Sequence, residues 1–156
     1  MKPRAVHPSD SVAQRTAEAA LLADLERQLG FPVRSERIRL DDGCVADVDG
    51  INREHRFLCE IYSRIGKLQA AQVEKVASDI LKLTFLARTL GGNWRKVVCF
   101  ADNTAANTLR NRSWLAAAAR AAGVEVIVAN LPPDVREAVL KAQAQQVMVN
   151  KPQVDG

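Results

Sequence analysis

Aromatic residues are scarce in this chain, and its cysteines are few and widely spaced. Phe, Trp and Tyr make up 4% of the 156 residues, which favours helices packed on a sheet through an aliphatic core over an aromatic-rich barrel. The three cysteines lack the close CxxC spacing of a zinc site and are interpreted as reduced core residues. No apolar run approaches the length of a membrane span, and the first residues lack the apolar stretch of a signal peptide. We therefore expect a cytoplasmic protein with no membrane partner.

The chain also lacks a strong excess of charge of one sign. Its 22 Lys and Arg residues exceed its 18 Asp and Glu residues by four, a mild excess that permits a nucleic-acid partner without requiring one. The basic residues form no run of five or more that would indicate a basic tail, and an ordinary solvated surface is an equal alternative. The length and the 47% apolar content predict a single domain over residues 1–156, with flexible termini at 1–9 and 150–156.

Hydrophobic periodicity predicts the order helix, three strands, long helix, strand, helix, strand, helix. The predicted ranges are 9–30 for the first helix, 33–40, 44–49 and 56–62 for the three strands, 68–90 for the long helix, 96–101 and 124–129 for two buried strands, and 103–122 and about 131–147 for the other helices. The first three strands make an antiparallel meander, and the last two pair in parallel through a helical crossover. The predicted fold class is α/β, with a mixed five-stranded sheet flanked by helices.

Two of the predicted neighbouring strands each carry a carboxylate that can face the other. Asp47 lies on the second strand, with Asp49 on the same face, and Glu60 lies on the third. Carboxylate oxygens at a fixed separation are the ligands that Mg²⁺ or Mn²⁺ prefers. Two carboxylates that face each other repel, which raises a pKa unless a cation or a proton resolves the conflict. For Asp47, whose neighbour on the same face, Asp49, adjoins the turn at Gly50, a turn-capping carboxylate is the alternative reading.

These residues resemble the PD-(D/E)xK nuclease superfamily, whose fold is also called restriction-endonuclease-like. Ala46-Asp47 looks like the Pro-Asp element of the family, and Glu60-Ile61-Tyr62 stands where the family has Glu-x-Lys. Glu18 on the first helix looks like the helical Glu, although an edge residue that reaches water is an alternative reading of it. The resemblance covers most of residues 9–130. It implies a magnesium-dependent endonuclease acting on DNA, with Asp47 and Glu60 as metal ligands and Glu18 as an outer carboxylate.

Tyr62 departs from the family pattern, because it occupies the place of the Lys. A Tyr hydroxyl, with a pKa of about 10, cannot supply a cation. Arg64, Lys67 and Lys75 are the possible substitutes. In the family the Lys can move to the following helix, and a Gln there resembles the RecB-like branch, so the resemblance favours Gln72 with Lys75. Both belong to a polar stripe at helical spacing, for which a solvated helix face is the alternative; the stripe consists of Gln72, Lys75, Asp79 and Lys82.

Two functions are compatible with this reading. The first is a metal-dependent nuclease, or nuclease-like protein, that hydrolyses DNA phosphodiesters. The second is a non-catalytic member of the same fold that binds nucleic acid or acts in protein assembly, and the Tyr at position 62 supports it. A homodimer or other homo-oligomer is left open. The candidate catalytic residues are Glu18, Asp47, Glu60, Tyr62, Lys67, Gln72 and Lys75.

Overall fold

Five strands form one mixed sheet in the order β1-β2-β3-β4-β5. A computed structural model of the chain describes residues 8–150, with side chains from 11 to 149. The strands are β1 (Arg34–Arg39), β2 (Val45–Asn52), β3 (Phe57–Tyr62), β4 (Arg95–Phe100) and β5 (Val124–Val128). The pairs β1–β2 and β2–β3 are antiparallel, while β3–β4 and β4–β5 are parallel. The predicted α/β class and mixed five-stranded sheet are therefore confirmed.

Helices cover both faces of the sheet, and each face has its own apolar core. The helices are α1 (Pro8–Leu29), α2 (Ala70–Leu90), α3 (Asn103–Ala106), α4 (Trp114–Ala121) and α5 (Pro133–Asn150). We call the core beneath α1 and α5 the α1-side core, and the core beneath α2, α3 and α4 the α2-side core. Within residues 8–150, no helix is long and apolar enough to cross a membrane.

β3 is the central strand, and its six residues are all buried. Its side chains alternate as expected for a strand covered on both faces. Leu58 and Tyr62 enter the α2-side core, whereas Phe57, Cys59 and Ile61 enter the α1-side core. Glu60 has the parity of Leu58 and Tyr62, so a carboxylate projects into the layer beneath α2.

The predicted helix over 103–122 is wrong, because the chain there is divided into shorter pieces. Asp102 accepts a hydrogen bond from the backbone of Ala105 and begins α3, which gives way to a single 3₁₀ turn at Asn107–Leu109. Ser113 then caps α4 through the backbone N–H of Ala116. These two side-chain N-caps are eleven residues apart, and they divide a segment for which hydrophobic periodicity alone predicts one helix.

The ends of the described chain are more helical than predicted. Pro8 and Ser9, expected to be loose, belong to the backbone of α1, and α5 extends to Asn150 rather than ending near 147. The remainder of the two predicted flexible termini, residues 1–7 and 151–156, lies outside the described residues.

β2 contains a bulge at the point where the sequence analysis predicts the end of the strand. Three residues of β1, from Arg34 to Glu36, oppose four residues of β2, from Val48 to Ile51. Val48 and Ile51 both pack into the α2-side core although they are three residues apart, and a Cβ on Gly50 would point at Cys59 on the α1 side. The alternation of side chains therefore changes phase between Val48 and Gly50. β2 continues through Gly50 to Asn52 and does not end at residue 49.

Candidate active site

The β2 bulge brings Asp49 beside Glu60. Gly50 and Cys59 are paired across β2 and β3, so the next residue along each strand places Asp49 opposite Glu60. Asp49 is close enough to raise the pKa of the Glu60 carboxyl. Asp49 is also held by the backbone, because its Oδ2 accepts a hydrogen bond from the N–H of Ile61 at 2.9 Å. One acid of the pair reaches solvent, whereas Glu60 is only 2% exposed.

A cation from α2 lies directly against Glu60. The Nζ of Lys82 is 2.7 Å from Oε1 of Glu60 and 3.4 Å from Oδ1 of Asp79. The contact with Glu60 is an ion pair by distance but lacks the angles of a hydrogen bond. Oε1 of Glu60 is therefore a buried oxygen with no hydrogen-bond partner within the described part of the chain. Such an atom is costly unless a proton, a water or a cation satisfies it.

The surroundings of Glu60 favour its protonated form. Burial is the main cause that raises the pKa of Glu60 from 4.5 to about 8; the neighbouring Asp49 acts in the same direction, and Lys82 acts in the opposite one. The pKa of Lys82 is itself raised, because its contacts with Glu60 and Asp79 outweigh the effect of burial. The Glu60 carboxyl therefore keeps its proton to a higher pH than an ordinary Glu, and Lys82 stays charged beside it.

Asp79 joins Lys82 to the end of β3. Asp79 is 5% exposed on α2, and its Oδ2 accepts hydrogen bonds from the Tyr62 hydroxyl and, at 2.9 Å, from Nζ of Lys75. Burial and the hydrogen bond to Asp79 raise the pKa of Tyr62 well above its ordinary value, so this hydroxyl stays protonated and donates. Three acids, two lysines and one phenol thus form a connected cluster, which we call the carboxylate cluster: Asp49, Glu60, Tyr62, Lys75, Asp79 and Lys82.

Asp47, the predicted partner of Glu60, is engaged elsewhere. Its carboxylate accepts two hydrogen bonds from Arg37, at 2.9 and 3.2 Å, and both side chains are largely exposed. The Arg37 guanidinium lowers the pKa of Asp47. Since Ala46 and Val48 pack against the α2-side core, Asp47 between them faces the other side of the sheet. The expected Asp47–Glu60 pairing is therefore wrong, and Asp49 occupies that place.

Four predicted site residues line one cleft of about 310 Å³ at the end of β3. Glu18 comes from α1, Tyr62 from β3, and Gln72 and Lys75 from the first turns of α2. Glu18 is half-buried and accepts a hydrogen bond from Gln14, while Gln72 binds the backbone N–H of Gln69 as part of a capping box. Because Tyr62 and Lys75 both touch Asp79, this cleft leads from solvent to the carboxylate cluster.

The two other candidate cations lie in different positions. Arg64 also lines the cleft, and its Nε donates to the backbone carbonyl of Lys67 at 3.4 Å. The side chain of Lys67 is exposed and lines a separate groove with Leu68 and Trp114. The structure therefore brings Arg64 and Lys75, but not Lys67, to the mouth of the cluster.

Sequence reasoning named the polar stripe of α2 but did not select Asp79, which is buried, or Lys82, which is half-buried. Asp79 and Lys82 are separated by three residues, and Asp79 lies on the helix face that also carries the buried Val76 and Leu83. An acid and a base at this spacing beside an apolar face are the signal that could have identified them. Asp49 was named only as sharing a face with Asp47.

The donor set for a metal ion is small. No group of three or more His, Cys, Asp or Glu side chains arranged to hold a metal occurs in the part of the chain that the structure describes. Asp49 and Glu60 offer two adjacent carboxylates, one of which reaches solvent. Mg²⁺ characteristically takes only one or two protein carboxylates and completes its shell with water and substrate phosphate, so this pair fits such an ion.

A scan against models of protein families matched none of them, and searches of curated proteins and of solved structures returned no similar protein.

Proposed function

We propose that this chain is a metal-dependent nuclease of the restriction-endonuclease-like type that hydrolyses DNA phosphodiesters. The observation that carries the proposal is the buried Glu60 carboxylate, with Asp49 opposite it on the adjacent strand and Nζ of Lys82 2.7 Å from its Oε1. Two acids on adjacent strands with a cation beside them are the groups that the Asp and Glu-x-Lys elements supply in the PD-(D/E)xK superfamily, which residues 60–62 resemble. In this arrangement Asp49 takes the role expected of Asp47, and Lys82 takes the role of the missing Lys.

Asp49 and Glu60 would hold Mg²⁺ or Mn²⁺. The buried Oε1 of Glu60, which accepts no hydrogen bond within the described residues, and the raised pKa of Glu60 support this assignment, because a divalent cation can replace the proton of that carboxyl. When bound, the metal supplies a Lewis acid that polarises a phosphoryl oxygen and lowers the pKa of a bound water. Competition between proton and metal makes binding stronger as the pH rises towards the pKa of Glu60.

The lysines of α2 supply fixed positive charge to the same site. Lys82 is 28% exposed and stays protonated, so it can stabilise negative charge on a nucleophile or a phosphoryl group next to Glu60. Lys75 is 61% exposed at the mouth of the cleft, where it can contact a phosphate together with Arg64. The modest positive charge of the chain is consistent with binding to a DNA backbone.

A second candidate keeps the fold and omits the chemistry. Glu60 is almost inaccessible and already ion-paired, which favours a non-catalytic module that binds nucleic acid or assembles with other chains, including copies of itself. Here the acids and lysines neutralise one another and stabilise the packing of α2 on β3, and they contact no substrate.

The test measures metal binding and DNA cleavage in matched variants. We expect the wild type to bind Mg²⁺ or Mn²⁺ by calorimetry and to cleave plasmid DNA or short duplexes only when the metal is present. Asp49→Asn and Glu60→Gln should lose both properties while remaining folded. Asp47→Asn is the control, because it makes the same chemical change two residues away on the opposite side of the sheet, and it should retain both.

Equal loss in the Asp47 and Asp49 variants would contradict the assignment of the pair. A wild type that neither binds metal nor cleaves would refute the nuclease, and nucleic-acid binding that survives Glu60→Gln would then support the non-catalytic module.

A further inference from the structure

The Tyr62 side chain is held by contacts of both its ring and its hydroxyl. Its ring is 7% exposed and stacks on Phe100 with centroids 5.5 Å apart and planes at 24°. The Nζ of Lys75 lies 5.1 Å from the centre of the Tyr62 ring. With the ring held by these contacts, its hydroxyl has a defined direction, and that direction is Asp79.

Asp79 uses its two oxygens for different tasks. Oδ2 accepts from the Tyr62 hydroxyl and from Lys75, whereas Oδ1 faces Lys82 at 3.4 Å. Lys82 thus lies between Oδ1 of Asp79 and Oε1 of Glu60. Rotation of the Asp79 carboxylate would move the atom that attracts Lys82, and the Tyr62 hydrogen bond opposes this rotation.

We propose that Tyr62 is a positioning residue, whose hydroxyl orients Asp79 so that Asp79 holds Lys82 against Glu60. The effect of Tyr62 on catalysis rests on the proposed function, because it assumes that Lys82 has the role of the missing Lys. The positioning of Lys82 by Tyr62 and Asp79 depends only on the contacts described above. Tyr62 and Lys82 then form a matched pair that together does what one Lys at position 62 would do.

This pairing predicts that Tyr62→Lys impairs the site. The substitution removes the hydrogen bond to Asp79 and places a third ammonium group beside those of Lys75 and Lys82 in a buried layer. Like charges at such a distance repel, and burial disfavours an additional charged group. The family pattern alone would predict the opposite, namely that Tyr62→Lys improves the site.

The structural part is tested by the reactivity of individual lysines in the folded protein. Wild type, Tyr62→Phe and Asp79→Asn are exposed to a dilute amine-methylating reagent, and the modification rate of each lysine is followed by peptide mass spectrometry. Tyr62→Phe keeps the ring and removes only the hydroxyl, so we expect Lys82 to react about fivefold faster, as for the loss of one net hydrogen bond. Lys96 is the internal control, because it is half-buried and donates to the carbonyl of Ala122, away from the cluster.

An unchanged rate at Lys82 in a folded Tyr62→Phe variant would overturn the proposal, and so would an unchanged rate in Asp79→Asn, because Asp79 would then not hold Lys82. A rise at Lys82 and Lys96 together would also count against it, because it would indicate general loosening of the fold. Asp79→Asn keeps the inference testable if Tyr62→Phe is poorly folded, since Asn cannot form the ion pair with Lys82.

Cleavage assays on the same variants separate this inference from the proposed function. If the wild type is active, Tyr62→Phe should lower kcat about 10- to 100-fold with little change in KM, and Tyr62→Lys should be no more active than Tyr62→Phe. A Tyr62→Lys variant more active than the wild type would refute the positioning role. If the wild type is inactive but Lys82 still gains reactivity in Tyr62→Phe, the nuclease proposal fails and the positioning role stands.

Discussion

Replacing Glu60 by Gln should change how the stability of the protein depends on pH. The substitution keeps the shape and burial of the side chain but removes its titration. Because burial and Asp49 raise the pKa of Glu60 from 4.5 to about 8, the folded state binds more protons than the unfolded state between these two values. The free energy of unfolding contributed by Glu60 is therefore fully present below about pH 4.5 and is lost as the pH rises towards 8.

The size of the effect follows from the shift. A difference of about 3.5 pKa units at about 1.36 kcal/mol per unit corresponds to roughly 5 kcal/mol. Lys82 does not offset this change inside the window, because its own raised pKa contributes stability that is lost only above its ordinary value of 10.5. We therefore expect the stability of Glu60→Gln, relative to the wild type, to increase by about 3–4 kcal/mol between pH 5 and pH 8.

Urea unfolding followed by tryptophan fluorescence at a series of pH values measures this difference. Glu125→Gln is the matched control, since Glu125 is an exposed residue paired with Arg95 at the surface and away from the cluster. It should keep the pH slope of the wild type. A constant difference between Glu60→Gln and the wild type across the whole pH range would refute the reasoning, because Glu60 would then have the same pKa in the folded and the unfolded protein.

Two further predictions concern the scaffold that holds the cluster. Gly50→Ala should lower the free energy of unfolding by about 1–3 kcal/mol or more, because the added Cβ would lie 2.4 Å from Sγ of Cys59 and from Cγ1 of Val33; an unchanged urea midpoint would contradict the close packing at the bulge. Leu83→Ala should cost about 2–5 kcal/mol in the same assay, because Leu83 is fully buried beneath α2, whereas Leu81→Ala, on the exposed face of the same helix, should change stability by less than about 0.5 kcal/mol. Similar losses in the two leucine variants would mean that α2 does not pack on the sheet through the Leu83 face.

Most of the topology could be predicted because the chain marks its elements locally. Glycines with positive φ follow α1 and α2, at Gly30 and at Gly91, and each was recognised as a helix end. The continuously apolar Val97–Phe100 segment indicated a strand covered on both faces. The division between α3 and α4 was missed, because the caps at Asp102 and Ser113 are visible only once the tertiary contacts fix where each turn stops.

The choice between Asp47 and Asp49 could not be made by counting residues. Strict alternation assigns the two to one face, and it fails wherever a bulge inserts one residue. Gly50 was taken as the end of the strand, although a glycine inside a strand pattern is also a sign of a bulge. The bulge leaves Asp47 with Arg37 and turns Asp49 towards Glu60. One inserted residue therefore decided which acid joined the cluster.

The choice of cation follows from how α2 runs relative to β3. Tyr62 contacts Asp79, and Glu60 contacts Lys82. Glu60 lies two residues before Tyr62 on the strand, whereas Lys82 lies three residues after Asp79 on the helix. The strand and the helix therefore run in opposite directions. Two strand residues span about 7 Å and three helix residues about 4.5 Å, distances that long side chains can bridge. Lys75 lies seven residues before Lys82, about 10 Å back along the helix, which carries it beyond the end of β3 and into the cleft. A cation for Glu60 must therefore come from about the fourth turn of α2, and Lys82 is the lysine at that height.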